Sequence, residues 1–109
     1  MGARKKPENI RKNIEKTLTD QLKAKGANND LYADMVQDYL VLWDLKEKLK
    51  ADVKANGLRC HYETATGSVE RDNPSAKQIP VVNREMRALL RDLGLTIEDI
   101  NGGGGYPDL

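Results

Sequence analysis

Apolar residues recur every four positions near the start of the chain, and this spacing predicts the first helix. They are Ile10, Ile14, Leu18 and Leu22. At about 100° per residue they form one stripe along an α-helix. Pro7 suits the first turn of such a helix, and Gly26 suits the position just after its end. The pattern therefore predicts an amphipathic helix over 8–25.

A second and longer helix is predicted from Asn29 or Asp30, either of which can cap it, to about Asn56, with Gly57 ending it. Its two halves differ in apolar content. After Leu45 only two further large apolar residues follow, and their spacing places them on one face of the helix. The apolar residues of the first half are Leu31, Tyr32, Met35, Val36, Tyr39, Leu40, Leu42, Trp43 and Leu45.

The first half of this helix is apolar on more than one face, so it must be covered on several sides. Two interpretations stay open: an intrachain core alone, or a core combined with a subunit interface. The second interpretation predicts a protein that oligomerises. Its candidate interface residues are Leu31, Met35, Val36, Tyr39, Leu40 and Trp43.

Alternation of apolar and polar residues predicts a β-hairpin at about 58–70. Leu58, Cys60 and Tyr62 alternate with polar residues, as expected of a strand with one buried face. Thr66-Gly67 is the expected turn, because Gly67 can adopt a positive φ. Two strands alone are marginally stable in water, so the hairpin is expected to pack on helices or on another subunit, with Cys60 buried.

The last helix is predicted from Asn73-Pro74, where the asparagine can cap and the proline suits the first position. Pro80 leaves two alternatives: a short turn followed by a helix that begins at Pro80, or one helix kinked there. Gly94 should end this helix, and Thr96 with Asp99 can cap a short terminal turn. The expected buried stripe is Val82, Met86, Leu89, Leu90 and Leu93.

The segments that flank these elements are expected to be flexible. Residues 1–7 are small and basic, and 101–109 are rich in glycine. The predicted organisation is a disordered basic arm over 1–7, a helical domain over 8–100 that contains the hairpin, and a flexible tail over 101–109.

Charge is unevenly distributed, although the net charge is only +1. Residues 1–27 carry eight Lys/Arg against three Asp/Glu, whereas 28–57 and 58–109 are each net negative. A basic end of this kind can bind the phosphates of DNA by releasing counterions; the alternative is a solvated, partly disordered arm. The candidate DNA-binding residues are Arg4, Lys5, Lys6, Arg11, Lys12, Lys16 and Lys23.

No constellation in the sequence favours catalysis, a metal or a cofactor. Cys60 and His61 are adjacent on a predicted strand and would point to opposite faces, and there is no second Cys or His to complete a zinc site. The glycines at 102–105 lack the Lys-Ser/Thr of a phosphate-binding loop. No apolar run approaches the ~20 residues that span a bilayer. We therefore expect a cytoplasmic protein that is not an enzyme and has no contact with a membrane.

The order of elements resembles the small subunit of bacteriophage terminase, in the compact helical family that carries a β-hairpin between helices. The resemblance covers roughly residues 30–100. Pro80 departs from the pattern, because the corresponding helix is usually uninterrupted. The residues that carry the resemblance are Tyr39, Trp43-Asp44-Leu45, Asn56-Gly57, Gly67, Asn73-Pro74 and Leu93-Gly94-Leu95-Thr96.

The resemblance implies a mainly α protein with a long central helix and one hairpin. It also implies a non-catalytic subunit that forms a homo-oligomeric ring, binds double-stranded viral DNA and regulates the terminase large subunit, which holds the ATPase and nuclease. These partners would be met in the host cell cytoplasm. The alternatives are a small dimeric DNA-binding regulator, such as a repressor or antitoxin, and a protein-interaction adaptor without DNA contact.

Overall fold

Three helices and one two-stranded hairpin follow one another along residues 6–96, the part of the chain that the computed structural model describes. The elements, in order, are α1 (Pro7–Ala24), α2 (Asp30–Asn56), β1 (Arg59–Thr64), β2 (Gly67–Asp72) and α3 (Pro74–Asp92). The prediction of a mainly α fold with a long central helix and one β-hairpin is confirmed. Most of the predicted basic arm, all of the glycine-rich tail and Asp99 of the predicted terminal cap lie outside the described residues.

The backbone packing divides the chain into two units. Within the described residues, the first unit comprises 6–41 and 87–96, and the second unit comprises Leu42–Met86. The helices α2 and α3 each contribute residues to both units.

In the first unit, α1 ends in a Schellman motif. The N–H of Ala27 donates to the carbonyl of Leu22 at 2.8 Å, and the N–H of Gly26 donates to the carbonyl of Lys23 at 3.0 Å. This arrangement requires a left-handed residue at Gly26, whose φ is +73°. The start of α2 is fixed by Asn29, because its Oδ1 accepts the N–H of Tyr32 at 3.1 Å.

The core of the first unit is entirely apolar. Leu40 is fully buried, and half-buried side chains such as Met35 and Tyr39 pack around the cluster. Burying apolar area of this kind is the dominant stabilising contribution to a fold. The buried members of this core are Leu18, Leu22, Val36, Leu40, Leu93 and Leu95.

The hairpin in the second unit differs from its prediction at the turn. The last strand pair is Thr64↔Gly67, so the loop is Ala65-Thr66 and not Thr66-Gly67. Gly67 does adopt a positive φ, +133°, but as the first residue of β2. The Thr64 hydroxyl donates to the Gly67 carbonyl and closes that final pair. β2 also continues to Asp72, beyond the predicted end at 70.

The hairpin buries less than its alternation predicted. Cys60 is half-buried and not fully buried, Tyr62 is 42% exposed, and Leu58 is 67% exposed. The other face carries ion pairs from Arg59 to Glu70 at 3.3 Å and from Arg59 to Asp72 at 3.1 Å. A two-stranded ribbon offers only a small apolar area on one face, so alternation here separates apolar from charged residues without fully burying the apolar side.

Helix α3 is continuous through Pro80, so the alternative of a helix that begins at Pro80 is wrong. An interior proline removes one backbone donor and its ring crowds the carbonyl of residue i−4, but the helix continues on both sides of Pro80. The predicted stripe is confirmed in outline: Val82, Met86 and Leu93 are buried, and Leu89 and Leu90 are half-buried.

Candidate nucleic-acid interface and subunit surface

Three of the predicted DNA-binding residues form a row along α1. Lys12, Lys16 and Lys23 are all exposed, while Leu18 and Leu22 on the other side of the same helix are buried. At about 100° per residue the three lysines fall within ~40° of one another. We call Lys12, Lys16 and Lys23 the lysine row.

The members of the lysine row differ in their local electrostatics. The Nζ of Lys16 lies 2.6 Å from Oδ2 of Asp20, one turn away. The hydrogen bond to Asp20, followed by its charge, raises the pKa of Lys16. Exposed pairs of this type contribute little stability, so Asp20 can be displaced by a stronger anion. Lys12 and Lys23 form no ion pair with any residue in 6–96.

The other predicted DNA-binding residues are not part of the lysine row. Lys6 is exposed and precedes α1 as its N-cap residue. Arg11 is half-buried and already engaged in another interaction. Arg4 and Lys5 lie outside the described residues.

A second set of exposed cations was missed by the sequence analysis. Arg84, Arg87 and Arg91 of α3 are exposed, and Arg87 and Arg91 stand one turn apart in the first unit. The available signal was their helical spacing. The net charge of 58–109 hides this spacing, because six basic residues in that segment, these arginines included, are outnumbered by eight acidic ones.

The predicted interface residues divide by burial. Val36, Leu40 and Trp43 are buried within the chain itself, so each leaves little surface for another molecule. Met35 and Tyr39 are half-buried, and burial raises the pKa of the Tyr39 hydroxyl. Only Leu31 is freely exposed, at 65%.

Val41 is a further exposed apolar residue of α2 in the first unit. It is 61% exposed, although its chain neighbour Leu40 is fully buried. Asp34 and Asp38 on the same side of the helix are also exposed. A helix with apolar residues on several faces gives no sequence signal for which of them faces the core, and Val41 was missed for that reason.

A polar junction in the second unit connects the end of α2 to the start of α3. Asn73 is 2% exposed. Its Nδ2 donates to the Gly57 carbonyl at 2.8 Å, and its Oδ1 accepts the N–H of Ser75 at 3.0 Å. Its backbone N–H donates to the Leu58 carbonyl at 2.7 Å. One side chain therefore caps α3 and holds the two ends of the hairpin together.

Asp52 of α2 extends this junction. Hydrogen bonds from Ser75, then from Asn56 and Asn73, lower the pKa of its carboxyl group. The bond from Nδ2 of Asn56 measures 2.7 Å. The Asn-Gly and Asn-Pro steps that carry the family resemblance are thus the residues that set this junction.

The described residues offer little for metal chemistry or for membrane insertion. Within 6–96, no group of three or more His, Cys, Asp or Glu side chains is placed to hold a metal ion. Nor is any helix in that range both long and apolar enough to cross a bilayer.

Comparison with known proteins identifies one family. Neither a curated protein nor a solved structure matches the chain. The family model described as phage terminase, small subunit, matches residues 12–102. The match includes most of α1 and all of α2, the hairpin and α3. This chain therefore belongs to the phage terminase small-subunit family.

Proposed function

We propose that this protein is a non-catalytic, ring-forming subunit that binds viral DNA and regulates the terminase large subunit in the host cell cytoplasm. Membership in the family carries the general part of the proposal: the family has a role in packaging phage DNA, and its small subunits are generally non-catalytic. DNA contact, ring formation and regulation by this chain are our extension of that role.

The lysine row supports direct DNA contact. Its three ammonium groups stand on the solvent side of α1, and two of them have no anionic partner among the described residues. Ammonium groups bind phosphates as compact point charges without reading base sequence. We expect the basic residues Arg4, Lys5 and Lys6 just before α1 to add to the same electrostatic attraction.

A ring would multiply this weak contact. Each subunit would present one lysine row, and several rows acting on one duplex raise the effective affinity without any new type of contact. Binding should therefore be weakly sequence-specific, strongly salt-dependent and much tighter for the assembled protein than for a single chain.

The test is DNA affinity as a function of salt for a charge-neutralised variant. In Lys12→Gln/Lys16→Gln/Lys23→Gln, loss of three phosphate contacts should reduce the slope of log affinity against log salt by about 2 to 3. Fluorescence anisotropy with a labelled duplex measures this directly. A second variant that lacks residues 2–6 should reduce the slope further when combined with the first.

The chain offers a matched control in the second half of α2. Lys48, Lys50 and Lys54 are also exposed, and Lys50 is paired with Glu47 at 3.0 Å much as Lys16 is paired with Asp20. Substituting these three by Gln removes the same charge and should leave the slope unchanged. If both triple variants lower the slope equally, binding depends on net charge alone and the lysine row is not the DNA site.

A further inference from the structure

One exposed face of α2 combines acidic and apolar side chains. Leu31, Asp34, Asp38 and Val41 fall within about 80° of one another at ~100° per residue. Leu31 and Val41 are 65% and 61% exposed, and both aspartates are exposed. All four belong to the first unit. We call this set the acidic face.

The acidic face lies on the side of α2 away from the core. Val36 and Leu40, which are buried in the core of the first unit, lie on the opposite side of the helix. Only Asp30 lies in the first turn of α2, where the helix dipole favours a carboxylate; Asp34 and Asp38 lie beyond that turn, where the effect has decayed. The dipole alone therefore does not account for the face.

The same unit carries a complementary surface on α3. Arg87 and Arg91 are exposed. Leu90, which lies between them, and Leu93, which follows them, pack into the core that also contains Leu40. We call Arg87 and Arg91 the arginine pair. The acidic face and the arginine pair are thus outward surfaces of two helices that share one core.

These charges are not satisfied within the chain. Among the residues in 6–96, the side chains of Asp34, Asp38, Arg87 and Arg91 form no ion pair or hydrogen bond with one another or with other residues. By contrast, several other exposed charges of the described chain are paired, for example Lys16 with Asp20 at 2.6 Å.

The spacing of the two surfaces matches. Each pair of charges is separated by four residues, which is about 6 Å along a helix axis. Two carboxylates at that separation can meet two guanidinium groups at the same separation, and guanidinium favours such contacts because it donates two parallel hydrogen bonds. Leu31 and Val41 would supply the apolar contact that charged pairs alone lack at an interface.

We propose that the acidic face of one subunit docks on the arginine pair of a second copy of this chain. The contact joins two different surfaces, so it is heterologous, and repeating it generates a closed ring or an open filament. This inference rests on the proposed ring-forming function and identifies the surfaces that would build the ring. It assigns the arginine pair to subunit contact and leaves the lysine row for DNA.

The experiment reverses each charge pair in the full-length chain and measures native mass by light scattering over a range of concentrations. Asp34→Lys/Asp38→Lys and Arg87→Glu/Arg91→Glu should each raise the concentration needed for assembly by at least about tenfold, because like charges would face each other. For the aspartate variant, the control Glu8→Lys/Glu63→Lys makes the same charge change at two other exposed carboxylates and should assemble normally.

Rescue separates a lost contact from a lost fold. An equimolar mixture of the two reversed variants should assemble again, because each variant retains one original surface and its reversed surface complements that of the other. The chain with all four substitutions should also assemble. If neither the mixture nor the fourfold variant assembles, the inference is wrong.

Three further outcomes relate this inference to the proposed function. Reversed variants that assemble as well as the wild type contradict the docking surfaces and leave ring formation standing, whereas a monomeric wild type contradicts both. If Arg87→Glu/Arg91→Glu retains its assembly but loses DNA affinity, the arginine pair is a DNA contact and the inference is wrong.

Discussion

Among the described residues both units of the chain bury apolar side chains, but only the second unit also buries a polar one. In the first unit the buried residues are all apolar, and they come from α1, α2 and the segment just after α3. In the second unit the junction is polar: Asn73, the one buried polar residue within 6–96, follows β2 and hydrogen-bonds to the carbonyls of Gly57 and Leu58 just before β1.

Apolar packing and a buried polar group contribute to a fold in different ways. Apolar packing contributes most of the free energy but tolerates adjustment of side chains. A buried amide instead demands particular partners, because an unsatisfied polar group costs about 1–3 kcal/mol. Apolar packing in the two units should therefore determine how stable the chain is, and the Asn73 junction should determine where the hairpin leaves α2 and where α3 begins.

The largest effect is expected in the apolar core. Leu40→Ala removes a fully buried side chain, so the free energy of unfolding should fall by about 2–5 kcal/mol. Urea denaturation followed by circular dichroism measures this change. Leu45→Ala is the control on the same helix, because Leu45 is 43% exposed, and it should have a much smaller effect. Equal losses for the two variants would mean that Leu40 is not a core residue.

A smaller loss is expected at the polar junction. Asn73→Ala removes the N-cap of α3 and the bond to the Gly57 carbonyl, and should cost about 1–3 kcal/mol by the same measurement. Asn73→Ser restores an N-cap acceptor but cannot reproduce the Nδ2 donor. It should therefore recover only part of the loss. Full recovery in Asn73→Ser would show that the cap alone matters and that the bond to Gly57 is dispensable.

The smallest effect concerns Asp52 and appears only at acid pH. Hydrogen bonds hold its folded-state pKa below the ordinary value of 3.8. Its contribution to stability is therefore present above that value and is lost as the pH falls through the lower, folded-state pKa. Wild type should lose more stability than Asp52→Asn on acidification below about pH 4, with no difference in slope between about pH 6 and 8. Parallel acid profiles for the two proteins would contradict this assignment.

The features that could be predicted from the sequence are local ones. Asn29 caps α2, and Gly26, Gly57 and Gly94 follow helix ends with positive φ, because capping depends on residues within a few positions of each other. The lysine row also follows from the period of α1. The turn was misplaced by one residue because only Gly67 signalled it, and a glycine with positive φ can follow a turn as well as form it.

The features that could not be predicted depend on residues distant in sequence or on burial. Asn73 and Gly57 are 16 residues apart, so the bond that joins them leaves no local pattern. Leu40 and Val41 are adjacent and both apolar, yet one is buried and the other 61% exposed. Only the packing of α1 and α3 against α2 decides between them.

This chain is expected to assemble and to bind DNA as an assembly. Native mass spectrometry, with and without duplex DNA, measures both properties. We expect a discrete mass that is a multiple of the 12.2 kDa chain larger than a dimer, and a further complex that contains one duplex per assembly. A stable monomer or dimer at tens of micromolar, whose mass is unchanged when DNA is added at low salt, would contradict this expectation.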